Sequence, residues 1–226
     1  MWRRALVALI SFGLLLSVGC SGSSEPKPSD PAQFNFIPSG FLSTYSNLTP
    51  HRNVPGAYSY LNEERPLRRY TMVMLDPVQV FLVDRDDARP QVDEIRLQAL
   101  ARHFESEIKD SLESSYPMVG KPGYGVLTVR AAITDAIPEE GGRIWSGDGI
   151  AGLLIEAELV DSQSGEQVAA YVDAFHKGKV FGSLFGTHGC SDSQACLEVW
   201  AKKLRGKLDT SRGLLQSNKR GQIEIN

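Results

Sequence analysis

Between residues 125 and 175 the chain alternates apolar and other residues in three successive stretches, and this constrains its fold more than any other feature. In residues 125–134, Leu127, Val129, Ala131 and Ile133 alternate with Val126, Thr128, Arg130 and Ala132. In residues 150–161, Leu153, Ile155, Ala157 and Leu159 alternate with Leu154, Glu156, Glu158 and Val160. Ser164-Gly165 then supplies a turn, and residues 167–175 return with Val168, Ala170, Val172 and Ala174 on one face. A period of two places successive side chains on opposite faces of a strand. Three strands are predicted, the last two forming a hairpin with one wet face.

Two helical patterns flank this block. Over residues 91–115, Leu97, Leu100, Ala101, Phe104, Ile108 and Leu112 recur at spacings of three and four, and charges fill the other faces. Tyr116-Pro117 ends that helix, because the residue before proline disfavours the helical region. A second helix is predicted from Ser191, where Ser191 and Gln194 form a capping-box pattern ahead of Cys196, Leu197, Trp200, Ala201, Leu204 and Leu208. Residues 72–83 read as a further strand, with Pro77 requiring a bulge or an edge because it has no amide donor. The expected class is α+β: a two-layer α/β sandwich in the order β-α-β-β-β-α, with two helices on one face of a mixed four-stranded sheet. That domain spans residues 71–210, with a polar tail at 211–226 and an irregular, aromatic-containing arm at 36–70.

The N-terminus speaks to location. Arg3 and Arg4 precede a 14-residue apolar run, Ala5 to Val18. As a helix the run would reach about 21 Å, short of the roughly 30 Å hydrocarbon core, so residues 1–19 read as a signal peptide and not a permanent span. The run ends in Leu16-Ser17-Val18-Gly19-Cys20, which resembles the lipobox of bacterial lipoproteins, with Ser17 where that class prefers leucine. The resemblance implies a diacylglyceryl group on the Cys20 sulfur and an acylated amine, palmitate-type chains whose number makes attachment effectively permanent. By resemblance to enterobacterial lipoproteins, Ser21 and not Asp after the cysteine implies sorting to the outer membrane. Residues 20–35 then form the acylated cysteine and a Ser/Pro/Gly-rich tether. Loss of the leader, which carries two arginines and no acid, takes the formal net charge from −3 to −5. A mildly acidic chain without a basic stripe argues against nucleic-acid binding.

Candidate chemistry is sparse. In an oxidising compartment, Cys190 and Cys196 are expected to form a disulfide, with Cys20 consumed by lipid. A nucleophilic Cys190 beside His188 and a zinc site from His176, His188, Cys190 and Cys196 are the sharper alternatives. Glu156 and Glu158 lie on one face of a strand, a spacing that could serve acid/base chemistry on a glycan. Their plainer reading is decoration of a wet face beside Arg130. Trp145, in the loop Gly141-Gly142-Arg143-Ile144-Trp145-Ser146-Gly147-Asp148-Gly149, is a candidate stacking anchor or simply a tucked ring. That loop lacks the Gly-Lys-Ser/Thr ending of a phosphate loop. The chain has no Gly-x-Ser-x-Gly or His-Glu-x-x-His, and its four histidines show no ligand spacing. No catalytic residue, metal or cofactor is predicted.

Three blocks carry a family resemblance: Ser39-Gly40-Phe41-Leu42-Ser43-Thr44-Tyr45-Ser46-Asn47-Leu48, Leu75-Asp76-Pro77-Val78, and Glu156-Ala157-Glu158-Leu159-Val160-Asp161 with Ser164-Gly165-Glu166. With the lipobox, they resemble the proteobacterial lipoproteins catalogued as domain of unknown function 3313, over about residues 36 to 210. The resemblance implies an envelope location and a compact α/β domain, and it carries no catalytic residues. The expected function is that of a lipid-anchored, periplasm-facing, non-enzymatic binding or scaffolding module. Its partners would be the membrane through Cys20, an envelope protein, and no nucleic acid. The alternative is a ligand-binding or hydrolytic protein acting on cell-wall or lipid components, with Trp145, Glu156 and Glu158 as its surface.

Overall fold

The structure, a computed structural model, describes residues 36–51, 56–83, 92–139, 149–176, 190, 192–213, 216–217 and 223–224. The leader, Cys20, the tether, Trp145 and His188 lie outside the described residues. Among the described residues, no helix is long and apolar enough to cross a membrane.

The three predicted strands form the sheet centre as β5 (Val126–Pro138), β6 (Ile150–Asp161) and β7 (Gln167–His176). β6 lies between β5 and β7 and pairs antiparallel with each, with Arg130 opposite Glu158, and Glu156 opposite Val172. The predicted strand over 72–83 is two strands, β3 (Met72–Leu75) and β4 (Gln79–Val80), both parallel to β5. Leu75 pairs with Val129 and Gln79 with Ala132, so four steps on one side match three on the other. The bulge falls at Pro77, as the missing amide donor requires. The Val78 amide instead donates to Glu105 Oε2 at 3.1 Å.

The sheet is larger than the four strands expected. β1 (Thr49–Pro50) and β2 (Tyr58–Leu61) come from the arm, and β2 pairs antiparallel with the free edge of β7. The result is seven strands in the order β1-β2-β7-β6-β5-β3, with β4 also on β5. Periodicity in the arm was too short to show this, because a four-residue strand and a two-residue strand carry almost no pattern. Beyond the sheet, β8 (Gln216–Ser217) and β9 (Ile223–Glu224) pair with each other within the predicted tail.

The helices are α1 (Glu94–Glu113) and α2 (Ser193–Ser211). Each buries the predicted stripe, and Phe104 of α1 meets Trp200 of α2 edge to face, with centroids 5.3 Å apart. The start of α2 is corrected: Asp192 caps it, accepting from the Ala195 amide at 2.8 Å. Asp93 plays the same part for α1, accepting from the Arg96 amide. The two helices and one sheet face make a single core that includes Leu127, Val129, Ile133, Ile155, Leu159 and Tyr171.

The other sheet face is not wet. Phe41 and Leu42 are buried there against Ala132, Leu154, Ala170, Val172 and Ala174, with Phe36, Tyr45, Leu48, Tyr58 and Tyr60 around them. Residues 36–48 thus form a strap across the second face. Val168, predicted beside Ala170, joins the helix-side core, and the β6–β7 register shifts between Leu159 and Val160.

Cys190 and Cys196 are disulfide-bonded, with Cα atoms 5.1 Å apart. The bond ties Cys190 to the first turn of α2. Closing so short a loop contributes about 2 kcal/mol on the chain-entropy model. Exchanging both cysteines for serine should therefore lower the unfolding free energy by that amount in denaturant titrations. Two free thiols by alkylation and mass spectrometry under non-reducing conditions would show the bond absent.

Candidate functional site

The candidate site is the pair Glu156 and Glu158 beneath the strap. Alternation on β6 aims both at the strap-side face, and there both carboxylates are fully buried, at 0% exposure. This corrects the expectation that they decorate a wet face. A carboxylate taken from water needs donors, and the strap provides them.

Five successive strap amides donate to side-chain oxygens. Ser39 N–H goes to Glu156 Oε1 (3.2 Å), Gly40 N–H to the Tyr45 hydroxyl (2.9 Å), and Phe41 N–H to Ser39 Oγ (3.1 Å). Leu42 N–H goes to the Tyr45 hydroxyl (3.1 Å), and Ser43 N–H to Glu158 Oε2 (2.9 Å). The Tyr45 hydroxyl in turn donates a hydrogen bond to Glu156 Oε2 at 2.5 Å. The turn depends on Gly40, whose φ of +93° is one that side-chain-bearing residues rarely adopt.

Glu158 is the more heavily tied of the two. It accepts from Ser43 Oγ at 2.9 Å and from Gln167 Nε2 at 2.7 Å, and it is ion-paired with Arg130 Nη1. Arg130 also lies over the Phe41 ring, 5.2 Å from its centroid, and its Nε is 3.8 Å from Asp76 Oδ2. The sequence blocks at 39–48, 75–78 and 156–161 therefore meet at one place. Arg130 was expected beside the glutamates and is there; Ser39, Ser43, Tyr45 and Gln167 were not foreseen.

Burial sets the electrostatics of Glu156. Desolvation raises the pKa of its carboxyl above the ordinary glutamate value, outweighing the donors from Tyr45 and Ser39. The Tyr45 hydroxyl is pushed up as well, by burial first and by its hydrogen bond to Glu156 second. Among the described residues Glu156 has no ion pair, in contrast to Glu158. Closed in this way, the two carboxylates are shielded from solvent.

The described residues contain no group of three or more His, Cys, Asp or Glu side chains placed to hold a metal ion. A small open cleft of about 210 Å³, lined by Ile150, Leu153, Phe175, Asp192 and Cys196 among others, adjoins the start of α2. Its enclosed room is little more than that of one water molecule, far below a small-molecule site.

Several solved structures are similar to this chain. A PelC dodecamer from Paraburkholderia phytofirmans is 14% identical, with a TM-score of 0.36, over 69% of this chain and 95% of that one. A DUF4136 family protein from Bacteroides thetaiotaomicron is 11% identical, with a TM-score of 0.36, over 75% and 97%. A DUF330 protein from Xanthomonas campestris is 10% identical, with a TM-score of 0.29, over 68% and 86%. No curated protein matches the chain. Residues 38–143 match the family described as "Protein of unknown function (DUF3313)". That span runs from the strap through α1 and β5 and holds the Ser39–Leu48 and Leu75–Val78 blocks that resemble the same family.

Proposed function

We propose that this chain is a lipid-anchored cell-envelope protein, held at the outer membrane through Cys20 and facing the periplasm. There it serves as a non-enzymatic binding or scaffolding module for an envelope protein partner. The observation that carries the reading is the leader itself: Arg3 and Arg4, the apolar run Ala5 to Val18, and Gly19-Cys20. The Cys190–Cys196 disulfide is what an oxidising compartment would favour. The burial of Glu156 and Glu158 under the strap supports a non-enzymatic role over the hydrolytic alternative, which would need those carboxylates open to substrate.

The test is Cys20→Ala in the full chain. Wild-type protein should sediment with the outer membrane and carry added acyl mass on its N-terminal peptide. The variant should lose the acyl mass and leave the membrane fraction. Unchanged fractionation, or a wild-type N-terminus without acyl mass, overturns the reading.

A further inference from the structure

We propose that residues 39–45 form a proton-linked latch on the sheet, with the Glu156 carboxylate as its proton acceptor. When the latch closes, Glu156 passes from water into a site with no cation partner among the described residues. When it opens, the carboxylate returns to water. The latch amides at 39–43 are bonded to side-chain oxygens and not to a strand ladder, so they can part from the sheet without unpairing any strand.

The groups around Glu156 leave it as the one that titrates against closure. From the strap comes Tyr45, whose hydroxyl proton is held more tightly than usual. On β6, Glu158 is neutralised by Arg130 of β5, which Asp76 also approaches. Also on β5, Thr134 lies alongside, and Asp135 sits opposite Leu154. The strap-side positions of β7 are Ala170, Val172 and Ala174, with no charge.

The sign follows from burial. The closed site binds a proton more tightly than the open one, so closure takes up a proton and opening releases it. The contribution to closure is fully present below the ordinary glutamate value of 4.5 and is lost as pH rises through the raised value of the closed form. Mild acid should tighten the latch, and neutral pH should loosen it. Each unit of difference between the two forms changes the opening equilibrium about tenfold.

Hydrogen exchange of the amides at 39–43 in the full chain reads that equilibrium. After correction for intrinsic rates, exchange should be several-fold slower at pH 5 than at pH 7.5, while α1 amides keep constant protection. Glu156→Gln retains an acceptor for the Ser39 amide but does not titrate, and it should flatten the pH dependence. Glu158→Gln should weaken the latch yet keep its slope. A Glu156→Gln protein with the wild-type slope overturns the proposal, as does a wild type whose protected amides show no slope. If the variant does not fold, the wild-type Glu156 carboxyl carbon can be titrated by NMR. A midpoint above the ordinary value is required, and one at or below it overturns the proposal.

Discussion

Arg130→Ala is expected to destabilise the protein by about 3 kcal/mol, because it strands a buried carboxylate. Glu158 is fully buried, and Arg130 is the cation paired with it. The Ser43 and Gln167 donors remain after the substitution, but they supply dipoles and not charge. The figure lies at the low end of the range for broken buried pairs because Arg130 itself is 31% exposed, so water can partly enter the vacated space. Denaturant titration checks the size, and exchange of the amides at 39–43 checks the place, since the strap should lose protection before the helices do. Adding Glu158→Gln to Arg130→Ala should recover more than half of the loss. A single variant within about 0.5 kcal/mol of wild type would mean the pair does not hold the strap.

Phe104→Ala should cost as much or more, about 3–5 kcal/mol, through a cavity between the helices and the sheet. Phe104 is fully buried and packs edge to face on Trp200, so truncation removes both the ring and its neighbour's partner. The denaturation midpoint should fall while the slope stays constant, since the surface exposed on unfolding hardly changes. Unlike Arg130→Ala, this substitution acts on the whole domain: amides of α1, α2 and β5 should lose protection together. A loss confined to the strap would show that the helix layer is not the core of the fold.

The contrast between these two sites matches what could be read from the sequence. Phe104 and Trp200 sit on stripes repeated over about four turns, and long periodic patterns are legible because every turn repeats the same message. The strap has no such repeat. The two amide bonds that fasten it to the sheet reach side chains more than a hundred residues away, from Ser39 to Glu156 and from Ser43 to Glu158. No local window holds both ends. One signal was nonetheless present in β6. Leu153-Leu154-Ile155-Glu156-Ala157-Glu158-Leu159-Val160 has apolar residues on both faces, the composition of a strand covered on both sides. Reading the two glutamates as evidence of a wet face gave them more weight than Leu154 and Val160, which share that face. The capping of α2 failed on a smaller scale, since Ser191 and Asp192 are adjacent candidates and only the observed bond to the Ala195 amide decides between them.

The strap has a mechanical consequence. It joins the sheet at β1, and its N-terminal end leads back toward Cys20. Thirteen residues of chain lie folded against the sheet between positions 36 and 48, and drawn out fully they would span roughly 45 Å. On a domain leashed to a lipid surface at Cys20, as proposed above, peeling this segment away would lengthen the leash by that reach less the distance the folded segment already spans, without unfolding α1, α2 or β5–β7.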